Sequence, residues 1–244
     1  MRWWCCATNE LSGGTHDGTP APRRRGGPSA VRRPRSRPAA AGDSVPFVAG
    51  VVLAAGGSRR LPGTTPKQLL DFGGEPLVRR VTRAALAAPL AQVIVVLGHE
   101  ATRVAAAVAG LDVETVVNRD WGSGQSTSVR AGLSRVAEAA RAAIFLPCDQ
   151  PFLDAAVIAG AVAAWRASGA PIVVPAWGER PGAPVLFERS LFPRLLRLEG
   201  DAGGRLLAAR HPELVHRWQL PDERPLLDVD TPADLERLRR LAEA

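Results

Sequence analysis

The feature that most constrains the fold of this chain is a hydrophobic run that ends in two glycines. Residues 47–55 are apolar or glycine, and Gly56 and Gly57 follow them directly. Such a run is typical of a strand buried on both faces, as in a parallel sheet. Glycines let backbone N–H groups approach an anion closely, and the residues that follow are basic. The pattern predicts a strand that ends in a phosphate-binding loop.

A single lysine follows this loop. Lys67 is the only lysine among 31 basic side chains, and all the others are arginines. An ammonium on a flexible stem follows a moving phosphoryl group more easily than a planar guanidinium, which prefers one fixed geometry. The alternative is a surface lysine placed there by chance, which the composition makes the weaker interpretation. We therefore expect Lys67 to act on a phosphate.

Hydrophobic runs alternate with helical patterns along the chain. One helical pattern begins after Pro76, and another follows Asp154, which suits the N-cap position. This alternation predicts an α/β domain with a mostly parallel sheet, whose ligands bind beyond the carboxyl ends of the strands. The predicted helices are 77–86, 99–108 and 155–168, and the predicted strands after the first are 92–97, 113–117, 142–146 and 171–175.

The first 45 residues differ in composition from the rest. They are rich in glycine, proline and serine, and they hold eight arginines against three acidic residues. They cannot bury enough apolar surface to offset the entropy of ordering, which predicts a disordered basic tail at 1–45 and a domain at 46–244. A solvated extension, or a start codon placed too early, is the preferred interpretation, with a transit peptide as the alternative. Because most of the net charge of +7 lies in the tail, no specific nucleic-acid partner is expected.

Cysteine usage and hydrophobicity indicate the cellular setting. Cys5, Cys6 and Cys148 have neither a disulfide framework nor metal-ligand spacing, which favours a reducing, cytoplasmic compartment. Cys148 adjoins a predicted buried strand, so it is a poor nucleophile. No apolar stretch approaches the roughly 20 residues that cross a bilayer. We expect no membrane partner.

Two carboxylate segments suit a metal ion. Asp149 follows the predicted strand 142–146 and therefore lies at the ligand edge of the sheet. Mg²⁺ takes oxygen ligands, usually one or two carboxylates together with substrate phosphates. Asp228 and Asp230 lie two apart on an extended segment, so they share a face. Thr231 and the following proline predict the start of a last helix.

A loop rich in glycine and hydroxyl side chains follows the strand predicted at 113–117. Gly124, Gln125 and Ser128 lie in it, and Ser126 is the predicted N-cap of the next helix. A helix N-terminus favours anions or polar ligand groups. An ordinary capped turn explains the local chemistry equally well.

The residues from Leu53 to Leu61, with Pro66 and Lys67 after them, resemble the signature loop of nucleoside-triphosphate transferases with a Rossmann-like fold. Among these they are most similar to the molybdenum-cofactor nucleotidyltransferases, and the resemblance extends over about residues 48–241. It implies a mostly parallel, three-layer nucleotidyltransferase fold. The chain departs from the family pattern at Pro62, where the family has glycine, and Gly63 to Thr65 lengthen the loop.

The resemblance also implies roles for individual residues. Lys67 and Arg60 would be catalytic, and Asp149 and Asp230 would hold Mg²⁺, since Asp230 rather than Asp228 aligns with the second metal carboxylate of the family. The implied nucleotide-binding residues are Leu53, Ala54, Ala55, Gly56, Gly57, Gly124, Gln125 and Ser128.

Two later segments resemble the family only in part. Residues 177–187 correspond to an Arg-Gly-His-Pro element, but Pro181 and Ala183 stand in place of its arginine and histidine. Residues 200–205 resemble its Gly-Asp-x-Gly-Ala-Arg turn. This turn is interpreted as a wall of the acceptor pocket, with a helix-capping role as an equal alternative.

The implied reaction transfers CMP from CTP to molybdenum-bound molybdopterin and releases pyrophosphate, with Mg²⁺ as the cofactor. CTP is favoured because residues 53–56 resemble the cytidylyl-transferring branch, and guanylyl transfer or another phosphorylated acceptor is the alternative. A molybdoenzyme or its chaperone is a further implied partner. An oxidoreductase that uses NAD(P)H is a competing interpretation, which the lack of a Gly-x-Gly-x-x-Gly motif disfavours. A catalytically silent cofactor chaperone is another, which the retention of Lys67, Asp149 and Asp230 disfavours.

Overall fold

The computed structural model describes residues 47–57 and 65–243. The predicted tail at 1–45 therefore lies outside the described residues, and so does Arg60. The strands are β1 (Val48–Ala54), β2 (Gln92–Leu97), β3 (Glu114–Val117), β4 (Ala142–Pro147), β5 (Ile172–Trp177), β6 (Arg180–Pro181), β7 (Val185–Glu188) and β8 (Val215–Gln219). The helices are α1 (Leu77–Ala87), α2 (Ala101–Ala107), α3 (Gln125–Leu133), α4 (Ala155–Ser168), α5 (Phe192–Leu196), α6 (Gly204–Arg210) and α7 (Pro232–Glu243).

The sheet is parallel in its centre and mixed at one side. Strands β3, β2, β1 and β4 lie side by side and all run in the same direction. Strand β7 is antiparallel to β4 and to β5, so β5 again runs parallel to β4. Strand β8 pairs in parallel with β5. The short β6 pairs antiparallel with the carboxyl end of β5. This arrangement confirms the predicted mostly parallel α/β sheet.

Helices cover both faces of the sheet, which gives three layers. On one face Val52 of β1 packs in a buried cluster with Val81 of α1 and Ile158 of α4. On the other face Val51 packs with Val129 of α3, in a cluster that also includes residues of α5 and α6. Neighbouring residues of β1 thus point to opposite faces, as the period of a strand requires. Because both faces are covered, β1 is apolar along its whole length.

Several predicted element boundaries were correct and others need correction. Asp154 caps α4 by accepting a hydrogen bond from the Val157 N–H at 2.8 Å. Thr231 and Asp234 cap α7 reciprocally, with the Thr231 N–H donating to Asp234 at 2.9 Å. Helix α2 begins at Ala101 rather than at residue 99, because Glu100 has a left-handed backbone (φ 52°) that no helix continues through.

The predicted N-cap at Ser126 is wrong. Helix α3 begins at Gln125, and Gly124 takes the N-cap position with φ 113°. Ser126 is therefore inside the first turn, where its buried side-chain oxygen has no hydrogen-bond partner among the described residues. Its N–H donates instead to the carbonyl oxygen of Gly200 at 3.1 Å, so a distant segment satisfies the helix end.

Among the residues described, no helix combines the length and the hydrophobicity needed to cross a lipid bilayer.

Candidate active site

A cavity of about 570 Å³ opens where β1 and β4 end. Both strands are parallel, so their carboxyl ends lie at one edge of the sheet, where open α/β sheets bind ligands. The glycine loop after β1, the 3-10 helix Lys67–Leu69 and the N-terminal end of α3 surround this edge. The lining residues are Leu53, Ala55, Gly56, Gly57, Lys67, Gln68, Trp121, Gly122, Gly124, Gln125, Ser128, Pro147, Cys148, Asp149, Asp201 and Asp230.

Lys67 joins two carboxylates in this cavity. Its Nζ lies 2.9 Å from Oδ2 of Asp149 and 2.8 Å from Oδ1 of Asp230. The lysine side chain is largely buried, with 14% of its surface exposed. Burial alone would lower the pKa of Lys67, but the charges and hydrogen bonds of Asp149 and Asp230 outweigh it and raise the pKa above its ordinary value. Lys67 is therefore protonated and positively charged at neutral pH.

The two carboxylates come from segments that the backbone holds together. Asp149 follows β4, and its carbonyl oxygen accepts a hydrogen bond from the Val229 N–H at 2.9 Å. This bond brings the segment of Asp228 and Asp230 beside the end of β4. Asp230 lines the cavity and bonds Lys67, whereas the half-buried Asp228 does not line it. Burial, and then the charges of Asp149 and Asp230, raise the pKa of Asp228.

The donor set suits a hard divalent cation. Asp149 and Asp230 already share one cation, the ammonium of Lys67, so their oxygens converge on a common point. Within the described part of the chain, no group of three or more histidine, cysteine, aspartate or glutamate side chains forms a metal cluster. Two carboxylates without further protein ligands are the usual complement for Mg²⁺ when substrate phosphates supply the remaining oxygens.

Gln68 supports the glycine loop, and sequence reasoning did not identify it. It is 2% exposed, and its Nε2 donates to the carbonyl oxygens of Gly56 at 2.6 Å and Ala54 at 3.2 Å. The amide therefore ties the end of β1 to the segment of Lys67. The only available signal in the sequence was the position of Gln68 between Lys67 and Leu69.

Trp121 forms another part of the wall that sequence reasoning missed. A Cβ on Gly57 would lie 2.6 Å from Cζ3 of Trp121, so any larger residue at that position would require the indole ring to move. The indole ring also meets the His99 ring edge to face, with 5.0 Å between centroids. Trp121 therefore fixes the path of the backbone at Gly57.

The N-terminal end of α3 contributes its N-cap Gly124 and the helical residues Gln125 and Ser128 to the cavity. The Asn118 side chain supports this first turn, because its Nδ2 donates to Oγ1 of Thr127 at 2.8 Å and to Oγ of Ser128 at 3.1 Å. These bonds fix the orientation of the first turn of α3 towards the cavity.

The turn at residues 200–205 borders two cavities. Asp201 lines the cavity at the strand ends, as expected of a pocket wall. Arg205, four residues later, lines a second cavity of about 830 Å³ between α6 and strands β5, β7 and β8. Gly203 takes the N-cap position of α6. The two interpretations of this turn, a pocket wall and a helix start, are therefore compatible.

The structure brings most of the predicted site residues together. Leu53, Ala55, Gly56, Gly57, Lys67, Gly124, Gln125, Ser128, Asp149 and Asp230 all line one cavity. Ala54, which was also predicted to bind the nucleotide, does not line this cavity. Its side chain is fully buried in the face of β1 that packs on α1, whereas its neighbours on the strand point the other way. Arg60 lies outside the described residues.

Cys148 lines the same cavity but is unsuited to nucleophilic attack. It is 6% exposed, and burial, followed by the charge of Asp149, raises the pKa of its thiol far above the ordinary value. The thiol is therefore protonated at neutral pH, and only a thiolate is an effective nucleophile.

Known proteins are similar to this chain over most of its length. Residues 50–215 match the family model described as the MobA-like NTP transferase domain. The chain is 32% identical over 205 residues to nicotine blue oxidoreductase of Paenarthrobacter nicotinovorans, a match that covers 80% of this chain and 97% of that protein.

Solved structures are similar over the same region. The crystal structure of a Mycobacterium sp. strain JC1 homologue of Mycobacterium tuberculosis Rv0371c has 35% identity and a TM-score of 0.71, covering 80% of this chain and 96% of that one. Rv0371c of Mycobacterium tuberculosis H37Rv, solved in complex with manganese, has 33% identity and a TM-score of 0.68, covering 80% and 98%.

Proposed function

The chain belongs to the MobA-like NTP transferase family, and from this premise we propose that it is a Mg²⁺-dependent enzyme that transfers CMP from CTP to molybdenum-bound molybdopterin. Family membership supports the coarser statement, a nucleotidyltransferase that acts on a nucleoside triphosphate. The base, the acceptor and the metal are the proposed part.

The observation that carries the proposal is the convergence of Lys67, Asp149 and Asp230 at the ends of β1 and β4, beside a glycine loop. A nucleoside triphosphate and a phosphorylated acceptor are both highly anionic. Their reaction requires countercharge and positioning more than a covalent intermediate. The cavity offers an ammonium, a place for a divalent cation and backbone N–H groups, and the one thiol in its wall is protonated.

The proposed chemistry is an in-line displacement at the α-phosphorus. A phosphate oxygen of the acceptor attacks, the bond to the β-phosphate oxygen breaks, and pyrophosphate leaves. Asp149 and Asp230 would hold Mg²⁺, which supplies positive charge to the triphosphate. The N–H groups of Gly56 and Gly57 would bind the pyrophosphate side, and Lys67 would neutralise the charge that develops around the α-phosphate. Arg60 is proposed to assist from the same loop.

The choice of CTP and of molybdenum-bound molybdopterin rests on the resemblance of residues 53–56 to the cytidylyl-transferring branch. The manganese complex of Rv0371c supports a divalent cation for this chain. Room for a second substrate is supported by the turn at 200–205, since Asp201 borders one cavity and Arg205 the other. A guanylyl transferase, or an enzyme for another phosphorylated acceptor, would use the same cavity.

A second candidate function is the reduction of an organic substrate. It is favoured by one observation, the match to nicotine blue oxidoreductase over 97% of that protein. An NAD(P)H molecule carries a pyrophosphate, so a cavity with a glycine loop and an ammonium suits it as well. The chain lacks the glycine fingerprint of the usual dinucleotide folds, which favours nucleotidyl transfer.

The test measures pyrophosphate from the purified protein with each of the four nucleoside triphosphates, Mg²⁺ or Mn²⁺, and molybdenum cofactor or other phosphorylated acceptors. We expect release with CTP and molybdenum cofactor, and none when the acceptor is left out. Parallel reactions with NADH or NADPH and a quinone or imine dye follow the absorbance at 340 nm. Nicotinamide oxidation without any pyrophosphate release would favour the second candidate.

A further inference from the structure

We propose that Lys67 acts as a built-in substitute for the metal: in the metal-free protein its ammonium holds the place between Asp149 and Asp230, and a divalent cation enters only when Lys67 leaves. This inference rests on the proposed function, because it takes these two aspartates as the metal ligands. It assigns Lys67 a positioning role before catalysis and makes metal binding depend on the nucleotide.

The geometry supports a shared place. One Nζ atom contacts Oδ2 of Asp149 at 2.9 Å and Oδ1 of Asp230 at 2.8 Å, and the two aspartates lie 82 and 163 residues from Lys67 in the chain. The carbonyl oxygen of Asp149 also accepts a hydrogen bond from the Val229 N–H, and this bond holds the two carboxylate segments at a fixed spacing. Two carboxylates at that spacing, with no cation between them, would repel each other. Lys67 therefore keeps the ligand pair together while no metal is bound.

A divalent cation and the ammonium compete for the same oxygens. Mg²⁺ binds carboxylate oxygens at about 2.0–2.1 Å, so a cation between Asp149 and Asp230 would lie close to the present position of Nζ. Two positive charges at such a distance repel strongly in a largely buried site. Metal binding to the free protein must break both ion pairs, which weakens the observed affinity.

The nucleotide gives Lys67 another partner. The lysine stem is flexible, and the cavity that it lines also contains Gly56 and Gly57 of the predicted phosphate loop. Phosphate oxygens there can replace the carboxylates as acceptors for the ammonium, and they also add ligands for the cation. Triphosphate and metal are therefore expected to bind cooperatively, because the triphosphate draws Lys67 away from the metal ligands.

Removing Lys67 is predicted to strengthen metal binding rather than weaken it. In Lys67→Met the methionine has similar length but no charge, so a divalent cation no longer competes with the ammonium for Asp149 and Asp230. The variant should bind a divalent cation more tightly than the wild type when no nucleotide is present, although it loses catalysis. The increase in metal affinity that the nucleotide causes should be smaller in Lys67→Met than in the wild type.

The experiment measures Mn²⁺ binding to the full-length protein by the electron paramagnetic resonance signal of free Mn²⁺, without nucleotide and with CTP. We expect the dissociation constant without nucleotide to fall about tenfold or more in Lys67→Met, and CTP to tighten binding more in the wild type than in the variant. Arg210→Met is the matched control, because it removes one positive charge from an exposed residue that does not line the cavity. It should leave the dissociation constant unchanged.

Two further variants make the outcome decisive. Lys67→Gln, which keeps a polar side chain, replaces Lys67→Met if the latter does not fold. Asp149→Asn tests the proposed metal site itself. If Asp149→Asn weakens Mn²⁺ binding while the Lys67 variant that folds binds like the wild type or more weakly, Lys67 is no substitute for the metal and only this inference fails. If Asp149→Asn binds Mn²⁺ as the wild type does, the metal site of the proposed function fails with it.

Discussion

The backbone N–H of Ser126 donates a hydrogen bond to the carbonyl oxygen of Gly200 at 3.1 Å. This contact joins the first turn of α3, which contributes Gln125 and Ser128 to the cavity, to the turn that contributes Asp201. The two backbone segments pack closely, since a Cβ on Gly124 would lie 2.2 Å from the carbonyl carbon and oxygen of Gly200. The wall of the cavity thus depends on a backbone-to-backbone contact between distant segments.

The first prediction tests this contact with Gly124→Ala. The added methyl would strike the backbone of Gly200, and alanine is strained at φ 113°. We expect a loss of about 1–3 kcal/mol in the free energy of unfolding and a marked loss of turnover. Gly122→Ala is the control for stability alone, because a Cβ there meets nothing within 4 Å but Gly122 itself lines the cavity. Thermal unfolding compares the two variants, pyrophosphate release compares Gly124→Ala with the wild type, and equal stability of the two variants would contradict the proposed role of the contact.

The second prediction concerns the support that Gln68 gives to the glycine loop. Gln68→Met keeps the size of the side chain but removes the donor that holds the carbonyl oxygens of Ala54 and Gly56. Because those oxygens would lose a partner, one in a buried and one in a partly buried place, we expect the free energy of unfolding to fall by about 1–3 kcal/mol and nucleotide binding to weaken. Calorimetric titration with CTP and chemical unfolding are the measurements. Gln219→Met, at an exposed residue, should change neither quantity, and an unaltered Gln68→Met would show that the loop does not need the amide.

The third prediction concerns Asp149. In Asp149→Asn the carbonyl oxygen that binds the Val229 N–H remains, so the fold is expected to hold. A neutral amide is a poorer ligand for a hard dication, and turnover should fall by at least about tenfold, since even groups that only support a metal ligand cost about 10–100-fold when lost. Asp112→Asn, at an exposed residue, is the control. Wild-type turnover of Asp149→Asn with Mg²⁺ would reduce Asp149 to a structural residue.

The fourth prediction separates charge from shape at Lys67. Lys67→Arg keeps the positive charge but replaces a compact ammonium with a broad planar group, so we expect it to restore triphosphate binding more than turnover. Lys67→Ala should lose about 10²–10³ in turnover, the usual cost of removing one aimed donor. It also leaves Asp149 and Asp230 without their shared countercharge, and a loss of about 1–2 kcal/mol in the free energy of unfolding is expected. Single-turnover kinetics and thermal unfolding measure these effects. Full activity in Lys67→Arg would show that charge alone suffices.

The fifth prediction concerns residues 1–45. Their composition is unsuited to a core, so we expect a protein that begins at residue 46 to unfold at the same temperature as the full chain and to release pyrophosphate at the same rate. Calorimetry and the pyrophosphate assay compare the two. A drop of several degrees in the melting temperature would show that the tail belongs to the folded domain.

The sequence by itself determined most elements from β1 to β5 and the start of α7, whereas α5, α6 and β8 were not predicted. It also predicted the edge of the sheet at which the candidate site lies. The hydrophobic run of β1, its two glycines and the alternation of strands and helices are local patterns, and local patterns decide secondary structure when they agree with one another. The rule that parallel strands carry their ligands at the carboxyl ends then predicted the position of Asp149 at the edge of the sheet. Lys67 was identified by its place after the glycine loop, by its being the single lysine of the chain and by the family resemblance.

Only the tertiary structure decided which of these residues meet. The pairing of Lys67 with Asp149 and Asp230 spans 82 and 163 residues, and no local pattern encodes a distance of that kind. The same holds for Gln68, whose burial follows from the packing of two segments, and for Ser126, which was predicted to cap α3 but gives its N–H to Gly200. Hydrogen bonds at element ends go to whichever group packing brings within reach, and packing is a property of the whole chain.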